Sequence, residues 1–171
     1  TMIFVYGGLA LGASFLCSIL EAVLLSCSRG YVGVLEQNGS RAAPLWIRFK
    51  DDPERPLTAI LTLNTIAHTV GALGVGAEVQ KGNPGEYGMI IASALLTLGI
   101  LLLSEILPKT IGTLYWKSLC KPAAFVLQAL ILLLIWIVVP IELIRKLFPT
   151  SSQETVSYIH RLLLIYPPLH S

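Results

Sequence analysis

Charge is scarce in this sequence. Only 13% of its 171 residues are charged, about half the roughly 25% of a soluble domain, which excludes an ordinary water-soluble enzyme and a disordered tail. Cysteine is scarce too. Cys17, Cys27 and Cys120 match no metal spacing and lie in or beside apolar segments. Such an odd, scattered set excludes a disulfide scaffold and reads as reduced core thiols. A net charge of +2, with the basic residues gathered at the ends of apolar runs, leaves no footprint for a nucleic acid. There is no His-Glu-x-x-His pair, no Gly-x-Ser-x-Gly elbow and no phosphate loop, so the chain is not expected to be an enzyme. What abounds is apolar: 54% of residues are hydrophobic, with a mean hydropathy of +0.74. Stretches of about twenty nearly uncharged residues match a hydrocarbon core ~30 Å thick. The expected fold class is therefore an all-α integral membrane domain, with lipid as its solvent.

Three spans are expected, at about 2–28, 57–77 and 88–116. The first is too long for a signal-peptide core and has no basic residues ahead of it. Gly8-x-x-x-Gly12 within it reads first as a helix-packing feature. Segment 30–55 is polar, broken by Pro44 and Pro53, and mixes Tyr31, Leu35, Trp46 and Phe49 with Arg41, Arg48 and Lys50. That mixture predicts amphipathic juxtamembrane helices. A polar turn holding Asn83-Pro84-Gly85 separates the second and third spans.

Five basic residues (Arg29, Arg41, Arg48, Lys50, Arg55) lie between the first two spans, against Lys81 alone in the next loop. The positive-inside rule then puts the amino terminus outside and the C-terminus in the cytoplasm of a multi-pass protein of the cell (inner) membrane. A fourth apolar run, 123–144, follows Pro122, is interrupted by Pro140 and has cations at both ends. It either crosses or returns to the same side, and the absence of charge bias favours a re-entrant or embedded helix over 122–148. The membrane domain would occupy 1–149. A tail, 150–171, follows it; nothing accounts for its apolar ending.

The informative residues are those a bilayer should exclude. Ser14, Ser18 and Glu21 share one face of the first span, Asn64 and His68 are four apart in the second, and Ser104 and Glu105 lie in the third. A carboxylate at mid-depth costs a few kcal/mol or more unless partnered. Measured from the nearest interfacial residue at ~1.5 Å per residue, Ser18, Asn64 and Glu105 all fall roughly 13–17 Å from one interface. A hydroxyl, an amide oxygen and a carboxylate at one level are the hard donors a Mg²⁺-like or Ca²⁺-like ion takes. Pro108 adds to the set by removing the backbone bond to the Ser104 carbonyl. Each residue also has a plainer reading. The serines can bond to the preceding turn, Asn64 and His68 can bond between helices, Glu105 can pair with Lys109 one turn on, and Glu21 is closer to the interface and structural.

At these residues the chain resembles the transmembrane domain of the CNNM/CorC family of magnesium transporters. Ser104-Glu105-Ile106-Leu107-Pro108-Lys109 is similar to the family's Gly-Glu-(Ile/Val)-Leu-Pro-Lys segment, and Ser14 to Ala22 resembles its Ser-x-x-x-Ser-Gly-x-Glu pattern. Asn38-Gly39-Ser40-Arg41 and Leu61-Thr62-Leu63-Asn64-Thr65 sit where the family has its surface helices and second-span asparagine. The resemblance implies three spans, a belt of juxtamembrane helices, a homodimer and a dehydrated Mg²⁺ among the spans, with Na⁺ coupling proposed. It assigns ligands to Ser14, Ser18, Asn64, Ser104 and Glu105, and structural or gating roles to Pro108, Lys109, Glu21 and His68. Ile19 replaces a glycine, Ser104 another, and His68 a second asparagine. The ATP-binding CBS pair that follows in the family is absent from this sequence, so the chain reads as a membrane domain whose regulatory part is expected in the full-length protein.

The functional expectation is a divalent-cation transporter domain. Its rivals are a non-transporting dimeric scaffold that anchors a cytosolic regulator, in which Glu105 pairs with Lys109 or faces solvent, and an intramembrane hydrolase. The hydrolase would need a nucleophile beside His68.

Overall fold

The computed structural model describes residues 2–82 and 85–147, all of them in helices, turns or short links. In chain order the helices are α1 (Met2–Ser26), α2 (Arg29–Gln37), α3 (Ala43–Asp51), α4 (Glu54–Lys81) and α5 (Gly85–Gly99). A π-helical segment (Ile100–Ile106) then leads into α6 (Leu107–Leu114), α7 (Trp116–Leu133) and α8 (Ile135–Leu147). The chain divides into two compact units, 1–138 and 139–171. The first holds everything argued below. Of the second, 139–147 continues α8, and the tail 150–171 lies outside the described residues.

The expected second span is longer than its apolar stretch: α4 runs through Glu78, which ion-pairs with Lys81 three residues on. The third is continuous from Gly85 to Leu114 but is not one α-helix. Its hydrogen bonding widens at Ile100–Ile106, where the Leu107 N–H reaches the Leu102 carbonyl five residues back. The 123–144 run is likewise not continuous. It is helical from Trp116, takes Pro122 inside α7, and breaks at Leu134 before α8. Among the described residues, four helical stretches are long and apolar enough to cross a membrane: Val5–Ser26, Glu54–Lys81, Tyr87–Leu114 and Trp116–Leu133.

Segment 30–55 forms the two amphipathic helices its pattern implies. Both prolines open helices instead of breaking them, Pro44 in the first turn of α3 and Pro53 at the N-cap of α4. Ser28 caps α2 by accepting the Tyr31 N–H at 3.2 Å. Gly39 closes α2 at φ +65°, which lets the Ser40 N–H reach the Leu35 carbonyl at 2.9 Å. The buried faces (Val32 and Leu35; Ala43, Trp46 and Phe49) press on the last turns of α1 and on α7. From α7 comes a stripe of Cys120, Ala123, Ala124, Leu127, Leu130 and Ile131, at the three-and-four spacing of one helical face. The core therefore sits at the end of the bundle that carries α2 and α3. The expectation of reduced core thiols holds, with one addition. All three cysteines are buried, but Cys27 and Cys120 meet, with Sγ atoms 3.1 Å apart.

Close helix approach is set by glycines other than the expected pair. A Cβ on Gly8 or Gly12 would meet nothing within 4 Å. On Gly71 it would lie 2.2 Å from the Ala10 Cβ, and on Gly112 2.7 Å from the Ala22 Cβ and 3.0 Å from the Ile19 carbonyl oxygen. Small residues that let backbones approach are how helices associate in lipid, where hydrophobic exclusion gives no drive. Gly112→Ala is therefore expected to destabilise the fold by about 1–3 kcal/mol. Gly76→Ala, whose Cβ meets nothing within 4 Å, should leave the melting temperature of the detergent-solubilised protein unchanged or higher.

Candidate cation site

Contacts between α1 and α4, set by Gly71, bring Ser14 to the second span. The Ser14 hydroxyl donates to Asn64 Oδ1 at 2.7 Å and lies 2.6 Å from His68 Nε2. Ser14 is fully buried, and Asn64 and His68 half-buried. A serine has one proton to give. That proton goes toward the asparagine oxygen; in the His68 tautomer protonated at Nε2, the imidazole donates to Ser14 and the bonds run from His68 through Ser14 to Asn64.

One turn along α1, Ser18 faces the third span. Its hydroxyl donates to the Ser104 carbonyl at 2.7 Å, while the Ser104 hydroxyl bonds back to the Ile100 carbonyl at 2.8 Å. The reason lies in the sequence. Pro108 has no N–H to return to residue 104, and its ring crowds that carbonyl. The helix widens into the π segment just before Pro108, a device common at functional sites, and the released carbonyl takes its hydrogen bond from α1. Ser14, Ser18 and Ser104 are the buried polar residues of the described chain. The sequence expectation that Pro108 frees the Ser104 carbonyl has a definite local outcome.

Glu105 is half-buried, and among the described residues its carboxylate has no hydrogen bond or ion pair. The alternative in which it pairs with Lys109 is not what forms. Lys109 instead reaches Glu21 on α1, Nζ to Oε2 3.1 Å. Gly112 explains the exchange, because its contact with Ile19 and Ala22 lays α6 against the turn that holds Glu21. Glu21 thus has the structural partner its position near the interface implied, and Lys109 holds α6 to α1.

Four of the five expected ligand residues are joined as two oxygen pairs drawn from three segments: Ser14 with Asn64, and Ser18 with Ser104. Glu105 adjoins the second pair in sequence. Among the described residues, no three His, Cys, Asp or Glu side chains gather as a metal cluster, so the donors on offer are hydroxyl, amide and backbone oxygen with one carboxylate, the set for a hard cation. The contact between Ser14 and His68 is the one that the residue spacing did not show, although Asn64 and His68 four apart mark a shared face. It supplies the nucleophile neighbour that a hydrolase would need. In this arrangement the Ser14 hydroxyl donates to Asn64 Oδ1, whereas a general base would have to accept that hydrogen bond.

Comparison with known proteins places the chain in a family. Residues 8–161 match the family described as the cyclin M transmembrane N-terminal domain. UPF0053 protein sll1254 of Synechocystis is 31% identical over 155 residues, covering 87% of this chain and 44% of that protein. The UPF0053 inner membrane protein YfjD of Escherichia coli is 28% identical over 120 residues, 68% of this chain and 28% of the relative. A UPF0053 protein of Haemophilus influenzae is 27% identical over 136 residues, 80% and 31%. The chain thus spans less than half the length of these relatives.

The bond from Ser18 to Ser104 can be tested by a double-mutant cycle. Ser18→Ala leaves the Ser104 carbonyl without its donor and is expected to cost about 1–3 kcal/mol. In a Pro108→Ala background the restored N–H can serve that carbonyl, so the same serine change should cost markedly less in denaturant unfolding; strictly additive losses would dissociate the two residues.

Proposed function

This chain belongs to the cyclin M transmembrane-domain family, and from that premise we propose that it is a divalent-cation transport domain that binds a dehydrated Mg²⁺, as its substrate, among α1, α4 and the π segment. A single observation carries the reading. Oxygens from three separate segments already meet in pairs inside an apolar bundle, beside a carboxylate that has no partner among the described residues.

The spacing of those pairs suits Mg²⁺. Mg²⁺ takes its ligands at ~2.0–2.1 Å in an octahedron, whose neighbouring vertices are then about 2.9 Å apart. The Ser14–Asn64 and Ser18–Ser104 oxygens stand 2.7 Å apart in each pair. Exchanging hydrogen bond for coordination therefore asks each hydroxyl to rotate its proton away, with little movement inside a pair. With no ion bound, the two hydrogen bonds satisfy the same oxygens, so loading and release exchange one satisfied state for another. Glu105 supplies the formal charge. One carboxylate against a dication gives modest affinity, as release requires. Ser104 contributes its carbonyl, and His68, bonded to Ser14, orients that hydroxyl.

The rest of the reading rests on the same premise. The third span buries only 6% of its apolar window within the chain, which leaves a face for lipid or for the second copy of a homodimer. The basic residues between the first two spans support a reading with the amino terminus outside and α2 and α3 on the cytoplasmic side of the inner membrane. Na⁺ is the proposed coupling ion, and an ATP-binding CBS region is the proposed regulatory partner.

Mg²⁺ is expected to raise the melting temperature of the purified chain; at a hundred times the dissociation constant the stabilisation is about 2.7 kcal/mol. Glu105→Gln and Asn64→Ala should each abolish that shift, while Glu21→Gln, outside the ligand set, should keep it. Undiminished protection in the first two variants would exclude the site. Mg²⁺ flux into proteoliposomes, present in the native protein and lost in Glu105→Gln, separates a transporter from a scaffold.

A further inference from the structure

Cys27 follows the last turn of α1 and Cys120 lies in the second turn of α7, ninety-three positions apart in sequence. Their sulfurs are 3.1 Å apart, and the two residues are 1% and 0% exposed. The surroundings hold them there. The Trp46 indole N–H donates to the Cys120 carbonyl at 2.8 Å, the Cys27 N–H to the Val23 carbonyl at 2.9 Å, and Lys50 Nζ to the Leu24 carbonyl at 2.7 Å. All three contacts converge on the junction of α1, α3 and α7. The thiol of Cys27 is drawn below its ordinary range by its hydrogen bond with Cys120 and, less strongly, by the Lys50 ammonium, against the upward push of burial. Burial in turn pulls the Lys50 amine down. A thiolate is the nucleophilic form of cysteine, and here its reaction partner is already in place.

We propose that Cys27 and Cys120 are a redox modification site: a hydroperoxide converts them to a reversible intrachain disulfide that ties the end of α1 to the start of α7. The Cys27 thiolate attacks one peroxide oxygen. The O–O bond breaks, the departing hydroxide takes up a proton to become water, and Cys27 is left as a sulfenic acid. The Cys120 sulfur then attacks Cys27 Sγ. The S–S bond forms, the S–O bond breaks, and the hydroxyl leaves with the Cys120 proton as a second water. Two thiols are oxidised by two electrons and one peroxide is reduced. The burial of both sulfurs favours hydrogen peroxide, close to water in size, over a bulky disulfide oxidant. Cys17, also buried in α1, has no thiol neighbour among the described residues and stays reduced. The cross-link stands independently of the cation reading. Only its consequence, that the helix bearing Ser14 and Ser18 is pinned at one end, rests on it.

The test uses the full chain, reduced with a phosphine that is then removed, and treated with hydrogen peroxide. After denaturation, free thiols are alkylated with N-ethylmaleimide and counted by intact mass. The expected result is loss of two of the three alkylations, a Cys27–Cys120 linked peptide in a non-reducing digest, and full recovery with dithiothreitol. Cys27→Ser and Cys120→Ser should each yield no intrachain linked peptide. Three remaining alkylations at a dose that fully oxidises free cysteine, a link through Cys17, a link between two chains, or an uncross-linked sulfinic acid at Cys27 would each overturn the proposal. Mg²⁺ protection measured on both forms keeps the two readings apart, because its absence leaves the mass result intact.

Discussion

A backbone carbonyl inside a bilayer must be given a donor, and Pro108 withholds one from Ser104. Water would supply it in a soluble helix; in hydrocarbon an unsatisfied group costs several kcal/mol. The chain answers by widening the helix over Ile100–Ile106 and by sending the Ser18 hydroxyl across from α1. The rest of the arrangement depends on that exchange. It fixes the third span against the first, it carries a backbone oxygen into the bundle, and it makes the oxygen's partner a side chain that can rotate. A hydroxyl can turn its proton elsewhere when a cation arrives, whereas a helical N–H cannot.

Packing is distributed unevenly around this contact. One end of the bundle is knitted by Trp46, Phe49, Leu24, Leu127 and the cysteine pair, and the amphipathic α2 and α3 are its outer cover. Further along, α1 and α4 meet where Gly71 faces Ala10 and Gly74 accommodates the Tyr6 ring. The polar residues lie between these regimes. On this view the proposed cation site borders a densely packed end and a region where glycines on α4 let α1 come close.

Much of this was legible in the residues. Hydroxyl, amide and carboxylate groups are conspicuous in apolar helices because the solvent penalises them, so Ser14, Ser18, Asn64, Ser104 and Glu105 can be picked out without coordinates, and Pro108 points to a freed carbonyl. The amphipathic pattern around Trp46 and Phe49 was equally plain. What spacing along one helix does not reveal is which helix lies opposite. Lys109 pairs with Glu21 on α1 and not with Glu105 one turn away, and Cys27 meets a thiol far along the chain. The same limit applies to Gly8 and Gly12, which have the right spacing for close packing while Gly71, Gly74 and Gly112 make the contacts. The extent of α4 and the break at Leu134 escaped a reading based on hydropathy because helical hydrogen bonding continues through polar residues and stops within apolar ones.

The sparse burial of the third span carries a consequence for its surroundings. A mismatch between a helix's apolar length and the thickness of the bilayer is taken up by tilting, kinking or local deformation of the bilayer. In this chain that helix bears the Ser104 carbonyl and Glu105 partway along, joined to α1 by a hydroxyl and by the Glu21–Lys109 pair. Thickening or thinning the membrane thus pulls on the hydroxyl bond, and the acyl-chain length of the host lipid becomes a mechanical input to the oxygen cluster.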